Sequence, residues 1–438
     1  MSKICIIGAG PAGLGLALGL ARRGTAGEVV VYDRAENHKT APRYNPDRSY
    51  TIDITGHGVR ALEYLGVSSR FDKELIKFKG IKVLPLHKVE PWDGPGWTGS
   101  RGDICRTLMS ECEEKFPGKV NFVFDSEVEI LDVYTGKVAI KGKSGDITKK
   151  TFDFVAASDG AGSLARSQAL SSVPGFEIEK SQVNNYCTMI HFDKATNELD
   201  PEWLYGFSVS PFVVGGAING DNGPKDPKWF CMLGFDRKKK FTDAQEAKQC
   251  IQRCCPKILK YVSEKEIEAF SKRECSHIGR AAVCNKFNAG RVVIIGNAGN
   301  PFPPVGQGIN AALESAMVLD QCLVEAEGAG GEGKGFCWAG DRFTEKWLSE
   351  AHGINWIAQR LEFGNTWKMG LVVTAALLGF SVLTDAKKST MKWSEVARAA
   401  KGRQKLLFKS GYALLGAAAL GAAFLGGYKL GHFMWGSK

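Results

Sequence analysis

The first thirty residues restrict the fold more than anything after them. Residues 4–7 form a short continuous apolar run, as in a strand buried on both faces, and open directly into Gly8-Ala9-Gly10-Pro11-Ala12-Gly13 and a helical stretch over 14–23. A second apolar run, 29–32, ends in Asp33. Strand, glycine turn, helix and strand with an acidic end make a β-α-β unit. Gly8, Gly10 and Gly13 have the spacing that lets a backbone approach a pyrophosphate at a helix N-terminus, with Asp33 placed to hold a ribose hydroxyl. The chain is therefore expected to be α/β, with a Rossmann-like dinucleotide-binding domain beginning at its N-terminus.

Further strands are expected at 120–124, 127–133, 137–140 and 154–157, the last running into Ser158-Asp159-Gly160. Residues 181–283 change character. Aromatic-rich apolar runs at 203–214 and 229–235, broken by the turn-rich stretch 219–228, predict an inserted, mainly antiparallel β-sheet domain. A buried strand returns at 291–295, a helix follows over 309–326, and the glycine-rich 328–335 reads as a surface loop. The expected division is a discontinuous cofactor domain (1–180 and 284–345), the sheet insertion (181–283), a helical region (346–409) and a tail (410–428).

The net charge of +10 is concentrated rather than spread. Between Asp385 and Lys409 eight basic residues face two acidic ones, and the uncharged run 410–428 follows directly. No zinc-finger, basic-helix or RNP pattern accompanies the charge, so the segment reads as facing a membrane and not a nucleic acid. As a helix the 19-residue run is about 28 Å long, matching a hydrocarbon core of about 30 Å. It is expected to be a membrane anchor, its recurrent small residues permitting a helix partner. By the positive-inside rule the folded part then faces the cytosol, on the mitochondrial outer membrane or the endoplasmic reticulum. A second uncharged run, 369–384, is shorter and is compatible with spanning, lying in the interface or covering the substrate site. The twelve cysteines show no C-x-x-C spacing, and His57, His191 and His277 have no ligand-spaced partner, so no metal site is expected.

Two later motifs sharpen the assignment. Asp159-Gly160 is followed by Ser163 and Arg166, and Gly296-Asn297 by Gly306-Gln307-Gly308-Ile309-Asn310. In this order the chain, over about residues 3–345, resembles the single-component FAD-dependent aromatic hydroxylases of the p-hydroxybenzoate hydroxylase type. The run 48–54 (RSYTIDI) with Gly58-Val59-Arg60-Ala61-Leu62 is most similar to the kynurenine 3-monooxygenase branch.

The resemblance implies FAD as cofactor and NAD(P)H as co-substrate. It implies pyrophosphate on Gly8, Gly10 and Gly13, ribose on Asp33, Arg106 near the phosphate or ribityl chain, and Asp159 and Gly160 touching both FAD and the nicotinamide. Asn297 falls at the ribityl position, and Gly306, Gln307, Gly308 and Asn310 begin a helix facing the flavin pyrimidine. It further implies oxygen adding at flavin C4a, with Pro303, Pro304 and Gly306 in the active-site loop and no separate catalytic side chain. Tyr186, Tyr205, Phe207 and Phe212 are candidates for the wall around a small-molecule substrate, though core packing also explains each of them. A flavin epoxidase or halogenase on the same fold, or a non-catalytic flavoprotein subunit of a membrane complex, are the alternatives. Two departures stand out: Gly296-Asn297-Ala298-Gly299-Asn300 replaces the family's G-D-A-A-H, and the stretch from there to Gly306 is one residue short.

Overall fold

The computed structural model describes residues 2–409 apart from 25–26, 46–48, 210, 329–334, 364–367, 369–371, 373–374, 376–380 and 389. The expected tail 410–428, the tip of the 328–335 loop, Arg48 and most of 369–384 therefore lie outside the described residues. Among the described residues no helix is long and apolar enough to cross a membrane.

A six-stranded sheet organises the cofactor half. Its order is Asn288–Ala289, Val292–Ile294, Phe154–Ala157, Lys3–Ile7, Glu28–Tyr32, Val120–Val123. The last five run parallel, with Ile4 opposite both Val29 and Phe154, and only Asn288–Ala289 is antiparallel. The continuous apolar runs are explained by burial on both faces. Helices Pro11–Arg23 and Gly308–Gly328 share one core with these strands, and so do Val128, Val138 and Ile140 of a separate three-stranded antiparallel sheet. The two helices lie close because Gly15 and Gly19 face Ala316 and Asp320, where a Cβ on Gly19 would stand 2.8 Å from the Asp320 carboxyl carbon. Asp320 is itself buried and accepts from Arg23 and the Tyr64 hydroxyl.

The second large sheet has seven strands. It runs Ser276–His277, Tyr186–Phe192, Gly223–Phe235, Val213–Gly220, Trp203–Ser208, Gly80–Val83, Lys88–Pro91. Two findings differ from expectation. The sheet is not confined to 181–283: the hairpin Gly80–Val83 with Lys88–Pro91 completes it, pairing parallel to Trp203–Ser208. The stretch 219–228 is mostly hairpin strand, with Asn219 opposite Pro227 and the turn between Gly220 and Gly223. Prolines are tolerated there because Gly223–Phe235 has a second neighbour only from Trp229 onward. One face of this sheet packs on helices Ala244–Cys254 and Glu264–Lys272 through Ile190, Phe192, Tyr205, Phe207 and Trp229. The other turns toward the cofactor half.

Past Phe336–Ala358 the chain returns to the cofactor half through the short helix Val382–Lys387 and the helix Trp393–Lys409. Trp393 is fully buried and fixes this return. Its ring stacks on His57 at 4.0 Å, meets Trp347 edge-on and donates its indole N–H to Ala386 O at 3.2 Å. Gly353 makes room, since a Cβ there would stand 2.5 Å from the Ser394 amide nitrogen.

His57 is buried under this lid, and burial, reinforced by the Arg60 guanidinium, pushes its pKa down to about 4. It is neutral at pH 7, so its 3.1 Å contact with Glu314 is a hydrogen bond from Nδ1 and not an ion pair. The unfolded chain binds a proton at position 57 below about pH 6.5 while the native state refuses it down to about pH 4, so acid weakens the fold across that window. Denaturant titrations between pH 7 and 4 should show stability falling, with roughly 3 kcal/mol as the upper limit from this residue. His57→Gln should flatten that part of the profile.

Candidate functional site

The site is built where the parallel strands end. Gly8 has φ +102°, and a Cβ on it would stand 2.6 Å from Ser158 O. At Gly13 a Cβ would lie 2.0 Å from Gly8 O. Both positions therefore admit only hydrogen, because strand Lys3–Ile7, helix Pro11–Arg23 and the exit of Phe154–Ala157 touch there. Ser158 Oγ donates to Ile7 O and Gly8 O, closing the contact. Gly10 differs: the nearest atom to a Cβ there is the tip of Arg101, at 3.1 Å, so its backbone borders open space.

Asp33 accepts from the Ala9 amide at 2.6 Å and the Ala35 amide at 2.8 Å. It shapes the turn that it was expected to serve. His38, whose pKa is lowered chiefly by burial, donates Nε2–H to Ala9 O. Arg106 is held behind that loop: its guanidinium donates to His38 O and Ala41 O and meets Asp103 at 3.2 Å. The cation bordering the glycine turn is Arg101, which makes no hydrogen bond or ion pair among the described residues. Arg101 opens helix Arg101–Lys115, whose start is fixed by a reciprocal cap between Ser100 and Asp103. That Ser-x-x-Asp pattern is the sequence signal that places Arg101 at the start of the helix and Arg106 about a turn and a half further in.

Asp159 Oδ2 accepts the Leu164 amide at 2.8 Å, while its Oδ1 is buried without a partner. Gly160, at φ +86°, has nothing within 4 Å of where a Cβ would be. Buried Arg166 ties this loop to the next motif, donating to Ala161 O, Asn297 O and Ala298 O. Asn297 is half-buried, and its amide makes no hydrogen bond among the described residues. The two altered neighbours have structural causes. A Cβ on Gly299 would stand 2.6 Å from the Phe287 ring, and buried Asn300 donates to Ala351 O on helix Phe336–Ala358.

Gly306, at φ +75°, precedes the helix Gly308–Gly328. Asn310 is fully buried and donates to Gly306 O and Asp53 O while accepting the Thr55 amide, so it locks the loop to strand Ile52–Ile54 instead of facing a ligand. Buried Gln307 donates to Gly306 O and leaves its Oε1 unpaired. Gly308 opens onto free space, and the first-turn amides of its helix have no intrahelical acceptor.

Beyond Gly306 the wall is apolar. Val305 and Phe302 of the Pro303-Pro304 loop join Phe212, Phe363, Met232 and Ile278 in one cluster, with Phe212 stacked on Phe363 at 5.0 Å. Of the expected aromatic residues only Phe212 stands here. Tyr205 and Phe207 point to the outer helices, where Tyr205 Oη accepts the Asp200 amide. Tyr186 shares the strand parity of Ile190 and Phe192, and its ring meets His277 edge-on.

The FAD binding domain family matches residues 1–334. The chain belongs to this family. A kynurenine 3-monooxygenase from Salinispora tropica is 25% identical over 356 residues, covering 73% of this chain and 72% of the relative. An asperlicin C monooxygenase from Petromyces alliaceus is 26% identical over 344 residues, covering 72% and 71%. Among solved structures, p-nitrophenol 4-monooxygenase from Pseudomonas putida shares the fold with a TM-score of 0.62 at 16% identity, covering 91% of this chain and 96% of that one. The chain is an FAD-dependent monooxygenase of the aromatic hydroxylase class.

The cleft fits FAD on its own features: a glycine turn whose Gly10 backbone borders open space, an arginine beside it with no partner among the described residues, and orphaned polar atoms on Asp159 and Gln307. Gly13→Val is expected to lose the fold, because the obstruction is backbone. Gly10→Val should keep native circular dichroism yet purify without flavin absorbance, because it blocks only the cofactor's approach.

Proposed function

We propose that the protein hydroxylates a small, largely apolar aromatic molecule lodged between the Gly306 loop and the inner face of the seven-stranded sheet. The observation that carries this reading is the single apolar cluster joining Val305 and Phe302 to Phe212, Met232, Ile278 and Phe363. FAD, when bound, supplies the electron transfer from NAD(P)H and the activation of oxygen.

The chain's own residues bind, orient and exclude water. The Gly8–Gly13 turn, the N-terminus of helix Pro11–Arg23 and Arg101 meet the pyrophosphate, in place of the role first given to Arg106. Asn297 offers its free amide to a ribityl hydroxyl, which an amide serves as donor or acceptor. Asp159 and Gly160 border the path of the nicotinamide; the other G-x-G-x-x-G spacing, Gly328 to Gly333, follows a helix and not a strand, so it offers no second dinucleotide turn. The helix N-terminus at Gly308 favours the negative charge of a reduced flavin ring. The apolar cluster keeps water from the oxygen-reactive face. The test is a screen of small aromatics for stimulated NAD(P)H oxidation under ¹⁸O₂. One compound should accelerate oxidation at least tenfold and gain one labelled oxygen, whereas oxidation yielding only peroxide with every compound overturns the reading.

Attachment to a membrane through 410–428, with the flavin site on the cytosolic side, belongs to the same proposal. It is supported by the 19 uncharged residues and by the basic flank on helix Trp393–Lys409. Truncation after Lys409 should move the protein from the carbonate-resistant to the soluble fraction. Retention of the truncated form in the membrane fraction counts against the tail as anchor.

A further inference from the structure

Behind the Gly306 loop lies a charge pair that the cofactor-binding motifs do not include. Asp53 occupies strand Ile52–Ile54 with only 3% of its surface exposed. Its Oδ2 accepts from Lys387 Nζ at 2.6 Å, and the two side chains are 5% and 11% exposed. Both groups abut the loop: a Cβ on Gly306 would stand 3.0 Å from Asp53 Oδ1 and 3.9 Å from Lys387 Nζ. Asn310 binds the Asp53 and Gly306 carbonyls together, so pair and loop form one unit.

Lys387 comes from the far end of the chain, on a segment held at several points. Thr384 donates to Glu90, Arg403 pairs with Asp385, Trp393 bonds Ala386 O, and Leu383 packs against the apolar cluster that includes Val305. Lys387 Nζ also lies 5.3 Å from the Phe78 ring centroid, where a cation is favoured. A buried ion pair of this kind is costly to make and adds little net stability over an apolar pair. Its value is the local field, which a water-poor setting transmits to any redox group beside it.

We propose that Asp53 and Lys387 are a positioning pair that sets the electrostatic potential at the Gly306 loop, and through it how readily the bound flavin is reduced. The inference rests on FAD lying along this loop. Reduction adds electron density to the flavin ring. An unpaired Lys387 cation therefore favours the reduced form, and an unpaired Asp53 carboxylate opposes it.

The experiment is the midpoint potential of bound FAD in the full-length protein, measured by dye equilibration, with flavin content and melting temperature recorded for each variant. Asp53→Asn should raise the potential and Lys387→Met should lower it, each by at least a tenfold shift in the oxidised-to-reduced ratio, about 30 mV for two electrons. The double variant should return toward the wild-type value, and Lys387→Arg should stay close to it. Loosening of the structure alone would move both single variants in the same direction, and that result, or unchanged potentials in variants that retain flavin, overturns the inference. Wild-type protein that binds no FAD would instead overturn the functional reading beneath it.

Discussion

The contact between Gly13 and Gly8 is the constraint on which the rest of the site depends. With no side chain at either position, helix Pro11–Arg23 can start directly on the end of strand Lys3–Ile7, and Ser158 can bridge the two strand exits. That approach points the helix N-terminus into the cleft and brings the Asp159-Gly160 loop beside it. It also fixes the line along which Gly15 and Gly19 admit helix Gly308–Gly328. The Gly306 loop is then held by Asn310 against strand Ile52–Ile54. A fault at Gly13 would thus be felt through two helices and two loops.

Local features of this arrangement were legible in the sequence, and distant ones were not. Parallel strands buried on both faces write themselves as apolar runs, which is why 4–7, 29–32 and 154–157 could be read as strands, while their order in the sheet comes from the structure. The hairpin at residues 80–91 carries no such mark, since its partner Trp203–Ser208 is more than a hundred residues away and only tertiary pairing reveals it. The stretch 219–228 looked like turn because proline and lysine are poor strand residues, yet a ribbon paired on one side tolerates them. Substrate-facing aromatic residues depend on strand parity, which a continuous apolar run such as 203–208 does not disclose. Tyr205 and Phe207 therefore fell on the outer face, while Phe212 joined the apolar cluster beside Val305 and Phe363.

The departures from the family motif read differently once packing is visible. Gly299 is small because Phe287 fills the space beside it, and Asn300 serves the helix Phe336–Ala358. Asn297 is half-buried, and its side-chain amide has no hydrogen-bond partner among the described residues. Arg166 meanwhile holds this loop by its carbonyls, an anchorage indifferent to side-chain identity at 297 and 298. The loop's course is thus set by its backbone, and its side chains are free to differ from those of relatives.

The bond between Lys387 and Asp53 joins residues 334 positions apart. A ribosome has therefore made every strand of the six-stranded sheet, the last of them Val292–Ile294, well before the lysine emerges. Until then the growing chain holds an aspartate aimed at a partner not yet synthesised, and Trp393 has not yet covered His57. Closure of the Gly306 loop by Lys387, and of His57 by Trp393, is in this way deferred until the segment that carries both has left the exit tunnel.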